Sequence, residues 1–165
     1  MNPVKLSTVF LLLAAFLLAG CSHSKKEYYP DGKLKSVIGM KGKKFEGKAV
    51  WYHESGGPMM ECTYHFNMLE GKLTRYYDNG IRQEEYTYKD DILSGHYGKW
   101  DRNGKIMEQG DYAGGVQDGP CKKYFINGQI REEGQYSHGK KEGRWFYYDA
   151  FGNLLAMKLF HKGVE

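Results

Sequence analysis

The chain has 165 residues, 41% of them hydrophobic and 27% charged, with 22 glycines and 14 tyrosines. That length fits one domain after any leader is removed. The formal charge is +4, with acids and bases interleaved; there is no basic stripe, so nucleic acid is not expected as a partner.

The first element is apolar. One positive charge, Lys5, precedes an unbroken run over residues 9–19, Val-Phe-Leu-Leu-Leu-Ala-Ala-Phe-Leu-Leu-Ala. A permanent membrane-spanning helix needs about 20 such residues, whereas a signal-peptide core needs roughly 7–15. The run ends in Leu18-Ala19-Gly20-Cys21. This resembles the lipobox of bacterial lipoproteins, in which small residues precede a cysteine. The resemblance implies cleavage before Cys21, a diacylglycerol thioether on its sulfur and an acyl group such as palmitate on the new amine. Two or more acyl chains give a stable anchor, at about 0.8 kcal/mol per buried methylene. The expected organisation is a helical lipoprotein signal peptide over residues 1–20, a tether over 21–27 and a repeat domain over 28–165. The linker 22–27 spans at most about 20 Å. Ser22 after the cysteine resembles outer-membrane sorting in a bacterium with two membranes.

From residue 28 onward the chain has a 24-residue period, and such a period marks a repeat architecture. Gly32, Gly56, Gly80, Gly104, Gly128 and Gly152 form one series; Gly47, Gly71, Gly95, Gly119 and Gly143 form a second. Four residues before each glycine of the first series stands an aromatic: Tyr28, Tyr52, Tyr76, Trp100, Tyr124 and Tyr148. Eight residues after it stand Met40, Tyr64, Tyr88, Tyr112, Tyr136 and Phe160.

Each unit reads as a β-hairpin. Asp78-Asn79-Gly80, Arg102-Asn103-Gly104 and Ile126-Asn127-Gly128 are turn signals between aromatic and aliphatic runs. A three-residue loop ending on glycine, a type I turn closed by a G1 bulge, sets each aromatic against the residue two after the glycine. In that register the side chains at plus eight are expected on the same face as those aromatics. The second glycine series is expected to close a longer loop, as in His138-Gly139-Lys140-Lys141-Glu142-Gly143.

The fold class is therefore all-β, an elongated single-layer antiparallel meander of about eleven strands. They are expected near 33–40, 47–52, 58–65, 71–77, 81–88, 95–100, 105–112, 119–125, 129–136, 143–148 and 154–160. At roughly 4.8 Å per strand the sheet is about 50 Å long. One face carries the aromatic ladder, with Glu84, Glu108 and Glu132 intruding on it. The other carries Gln83, Glu85, Thr87, Gln109, Asp111, Arg131, Glu133 and Gln135. A single layer has no thick core, so stability comes from neighbour stacking. Cys62 and Cys121 fall five strands, about 24 Å, apart, and a disulfide needs Cα atoms within about 7 Å. No disulfide is expected between them.

The pattern Tyr-Tyr-x-Asn-Gly, x-Ile-x-x-Glu, Tyr-x-x-Gly-Lys-Lys-x-Gly-x-Trp resembles the MORN repeat in its bacterial variant, sometimes called MORN-2-like. Residues 124–145 are its fullest copy, and the likeness extends over about residues 28–163, in about six repeats. The unit at Ser55-Gly56-Gly57-Pro58 departs from it, and Met40 replaces an aromatic. The resemblance implies hairpins side by side in a trough-like sheet, and binding to proteins or phospholipid head groups rather than chemistry. Some bacterial members of the variant are described as antitoxins of toxin–antitoxin systems.

No catalytic constellation is visible. The six histidines, His23, His53, His65, His96, His138 and His161, recur in no pair, whereas a metal needs ligands that meet at one point; no metal and no cofactor are expected. No serine or cysteine stands in a nucleophile elbow and no glycine-rich loop opens a helix. Binding candidates remain. Tyr124 and Tyr136 represent the ladder, a rigid contact surface. Residues 154–160, Leu-Leu-Ala-Met-Lys-Leu-Phe, are apolar on both faces, and as an edge strand would pair with a protein partner or a second copy through Leu155 and Leu159. Lys43, Lys44, Lys140 and Lys141 occupy corresponding loops and could meet head-group phosphate. Three functions follow as expectations: a protein-binding module or scaffold at the cell envelope, antitoxin-like in one version; a head-group binder; and, least supported, an enzyme.

Overall fold

The computed structural model describes residues 22–165; the segment 1–20, expected as a signal peptide, and Cys21 lie outside the described residues. The described chain is one open, fourteen-stranded antiparallel sheet in meander order. The strands are β1 (Ser22–Tyr28), β2 (Leu34–Lys41), β3 (Lys44–Tyr52), β4 (Pro58–His65), β5 (Met68–Leu69), β6 (Gly71–Tyr76) and β7 (Arg82–Lys89). They continue with β8 (Ile92–Leu93), β9 (Gly95–Trp100), β10 (Ile106–Ala113), β11 (Val116–Tyr124), β12 (Ile130–Ser137), β13 (Lys140–Tyr148) and β14 (Leu154–Phe160). Two-residue β5 and β8 are the beginnings of strands interrupted at Glu70 and Ser94.

The expected all-β meander is the observed one, with one strand more at its start. Residues 22–27, expected as a tether, pair with β2 from Ser22 opposite Lys41 to Tyr28 opposite Leu34. The segment looked like a linker because it is charged and lacks apolar alternation. An edge strand needs neither, since backbone bonding to one neighbour holds it and exposed lysine guards its free side.

The six turns within the units follow the expected three-residue form. In the first, Gly32 N–H donates to Tyr29 O and Tyr29 N–H to Lys33 O. The aromatic then faces the residue two after the glycine: Tyr52 opposite Pro58, Tyr76 opposite Arg82, Trp100 opposite Ile106, Tyr124 opposite Ile130 and Tyr148 opposite Leu154. Gly32 has φ +83°, a value open to glycine because it lacks Cβ.

The connections between units differ from the expected longer loop. They are two-residue turns at 66–67, 90–91, 114–115 and 138–139, with positive φ at both central residues, the signature of type I′ hairpins. The second glycine series instead sits in bulges. Beside Gly47, Gly119 and Gly143, one strand advances two residues while its partner advances four. The acid before Gly47, Gly71, Gly119 and Gly143 caps the stack of turns. Glu46, Glu70, Asp118 and Glu142 accept the backbone N–H of Phe66, Asp90, His138 and Lys162, at 2.9, 3.1, 3.1 and 2.7 Å.

The core is a column on one face. Ala49, Leu73, Tyr97, Cys121 and Trp145 stand 24 residues apart and are all buried. Ile38, Met40 and Cys62 extend it toward the first units. The later rings need room, and glycine on the neighbouring strand provides it. A Cβ on Gly134 would run into the Trp145 indole, and one on Gly110 into the Tyr97 ring.

Candidate interaction surfaces

The column face is aromatic and interlocked. Tyr97 stacks on Tyr86 at 5.8 Å and meets Tyr112 at 5.0 Å; Trp145 meets Tyr136 edge-on at 5.1 Å and Phe160 at 6.4 Å. Ring pairs at these distances are worth about 0.5–1.5 kcal/mol beyond area burial. Glu84, Glu108 and Glu132 do lie on this face, and each has a cation nine residues earlier. Arg75 Nε is 3.4 Å from Glu84, Lys99 Nζ 3.3 Å from Glu108 and Lys123 Nζ 2.9 Å from Glu132. Burial opposes the Glu132 carboxylate, yet Lys123 and Lys141 outweigh it and hold the group below the usual carboxylate range. The Tyr97 hydroxyl donates to Glu108 at 2.8 Å and accepts from Gln117 at 2.7 Å; burial and Glu108 push its pKa up. These groups satisfy one another across the sheet.

The expected sharing of one face by both aromatic series is corrected. Tyr124 accepts from Gln109 Nε2 at 2.9 Å and Tyr148 donates to Glu133 at 3.0 Å, on the polar face opposite Tyr112 and Tyr136. The bulge next to each turn is the cause. Lys123 pairs with Glu132 but Tyr124 with Ile130, so an extra residue, Arg131, shifts the alternation. Tyr124 and Tyr136, both half-buried, therefore do not form one contact surface. The polar face is laced by ion pairs: Lys48–Glu61 at 3.2 Å, Lys72–Glu85 at 2.8 Å and Lys122–Glu133 at 2.9 Å.

The two cysteines among the described residues are buried and free, Cys62 on β4 and Cys121 on β11. Burial pushes the Cys62 thiol up to about 11. Among the described residues no group of three or more His, Cys, Asp and Glu side chains could hold a metal ion, and no helix is long and apolar enough to cross a membrane.

The edges differ. β1 presents Lys25, Lys26 and Glu27, whereas β14 presents Leu155, Met157 and Leu159, each more than half exposed, on the polar side of the sheet. Met157 lies opposite Phe146 and Leu159 opposite Arg144, so the apolar patch begins one strand inside the edge. Lys158, on the other face, is paired with Glu165 at 2.6 Å.

Of the candidate lysines, Lys43 sits in the first turn between units, while Lys44 and Lys140 open β3 and β13; all three are exposed. Lys141 differs. Its ammonium lies 3.9 Å from the Trp145 ring centroid, 2.9 Å from the Tyr147 hydroxyl and 3.4 Å from Glu132. It belongs to the aromatic face and is already occupied. Three features escaped the sequence reading: the core column, the cation nine before each glutamate and the acid before four of the five second-series glycines. All recur at 24 residues and could have been found by asking which other columns keep the period.

A family model for the MORN repeat variant matches residues 25–41, 45–65, 69–90 and 117–138. No curated relative matches the chain. Each matched segment carries the glycine turn within one unit together with strand on both sides of it, so the family pattern and the observed hairpins coincide. The chain belongs to the MORN repeat variant family, with its repeats across residues 25–138.

Proposed function

We propose that the chain is a bacterial envelope lipoprotein, anchored through acylated Cys21, whose repeat sheet is a non-catalytic module binding another protein. The observation that supports it best is the contrast between the two edges. β1 is guarded by charge, while β14 leaves one backbone edge open and carries Leu155, Met157 and Leu159 beside it. An open apolar edge favours strand addition, in which main-chain bonds supply affinity and side-chain pockets supply choice. The lipobox supports the anchor, and Ser22 supports the outer membrane in a host that has two. An antitoxin-like role is the narrower version of this reading, with a partner that acts in the envelope.

The test is crosslinking in the native envelope, comparing the unchanged chain with Leu155→Lys plus Leu159→Lys. Both side chains are about two-thirds exposed, so the fold persists in the variant. The proposal expects a defined crosslinked species that the double substitution removes. A species that survives the substitution unchanged contradicts binding at β14.

A second reading, head-group binding, is favoured by the exposure of Lys43, Lys44 and Lys140 on one rim. Binding to anionic vesicles that fades with salt and with Lys43→Glu plus Lys140→Glu supports it; indifference to anionic lipid removes it.

A further inference from the structure

Because Ser22 is already in β1, no slack separates Cys21 from the sheet. Ser22 pairs across the sheet with Lys41, immediately before the first turn between units, so the chain enters β1 from Cys21 on the rim that carries that turn. The rim bearing these turns is thus the one next to any lipid on Cys21. The opposite rim is a strand away: seven residues of β1, about 20 Å.

The second turn on this rim is unusual. Type I′ turns favour Asn, Asp and Gly at their centre, and the chain obeys with Asp90-Asp91 and Gly114-Gly115, while His138-Gly139 puts a polar histidine first, also at φ +50°. At the turn nearest the first it has Phe66-Asn67, with Phe66 at φ +50°. A bulky residue in the left-handed region is strained, and such strain points to a role outside local stability. Phe66 is 48% exposed, and Met68 beside it is also exposed. The Lys44 ammonium lies 5.2 Å from the Phe66 ring centroid, and Lys43 stands at the adjacent turn. An apolar tip with lysines beside it, three strand spacings or about 14 Å along the rim from β1, matches the layered chemistry of a bilayer surface, with acyl chains beneath anionic phosphates.

We propose that the sheet stands edge-on against the membrane that holds Cys21, with Phe66 and Met68 seated in the lipid interface and Lys43 and Lys44 at the phosphate level. This rests on the lipoprotein reading. It goes beyond that reading by giving the sheet an orientation: the strands rise from the bilayer, and the β14 edge and both faces point sideways, open to a partner.

The test uses the full acylated chain in vesicles of phosphatidylethanolamine and phosphatidylglycerol. An environment-sensitive dye is attached at Phe66→Cys or, as the control, at Phe151→Cys, an 88% exposed ring on the opposite rim. Cys62 and Cys121 are each 3% exposed and stay unlabelled. The expected result is blue-shifted emission at position 66, lost when a quencher is carried on the lipid chains, with position 151 quenched only by aqueous iodide. Mass measurement of the Cys21 peptide from the same sample separates the two ideas. Acylated Cys21 with position 66 as water-exposed as position 151 overturns the orientation alone; unacylated Cys21 overturns the lipoprotein reading and this inference with it.

Discussion

Gly134→Ala is the substitution that probes the single-layer core most sharply. Trp145 is fully buried, donates from Nε1 to Gln135 O at 3.0 Å and lies across Gly134 with no space for a methyl. The backbone at 134 is outside the positive-φ region, so the added methyl meets only the indole. Overpacking of this kind costs about 1–3 kcal/mol. Trp145→Ala alone removes a fully buried ring and costs about 3–5 kcal/mol. In the Trp145→Ala background the methyl has room, and alanine is conformationally easier than glycine in a strand by roughly 0.5–1 kcal/mol. The two changes should therefore couple by at least about 1 kcal/mol in a double-mutant cycle, read from urea unfolding followed by far-ultraviolet circular dichroism. Additive effects, or a Gly134→Ala variant as stable as the parent, would refute indole-over-glycine packing as the basis of the core.

Glu132→Gln tests the ion-pair ladder by pH. The Glu132 carboxyl is held below its usual range when folded, so its contribution is present above the unfolded pKa and lost as pH falls through the folded one. The parent should lose stability on acidification more steeply than the variant, and parallel acid-unfolding curves would exclude this role. Burial pushes Cys62 up to about 11 and raises Cys121 as well. Both thiols should resist an aromatic disulfide reagent at pH 8 and react at once in denaturant; rapid reaction in the folded state would contradict their burial. Glu142→Ala leaves the Lys162 N–H and His161 without their acceptor and should cost about 1 kcal/mol, with faster hydrogen exchange confined to the last turn. A global rise in exchange would show instead that the turn ladder is not modular.

The repeat was legible because glycine at a positive-φ turn is hard to replace. Six glycines at an even interval gave away the hairpins, and Tyr124 opposite Ile130 followed from loop length alone. The faces were harder to read. Period-two alternation fails at a bulge, and here a bulge sits beside every turn, so Tyr124 and Tyr136 point away from each other although counting residues placed them together. β1 was hidden because guarded edge strands and linkers have the same composition, Lys25-Lys26-Glu27 serving for either. Lys141 was misjudged for a related reason. Its neighbour Lys140 is exposed, but side chains alternate along β13, and the second of the pair turns inward onto Trp145. Nothing local in the sequence marks that difference; it appears only once the strand is known to begin at Lys140 rather than at Gly143.

The proposed envelope role depends on an acylated Cys21, and one measurement addresses that anchor directly. The chain is recovered from membranes of bacteria that express it, digested with trypsin and weighed. The account predicts an N-terminal peptide that begins at Cys21, ends at Lys25 and carries a diacylglyceryl group on sulfur. A mature chain that partitions into buffer, with Cys21 unmodified or still joined to Gly20, would contradict it.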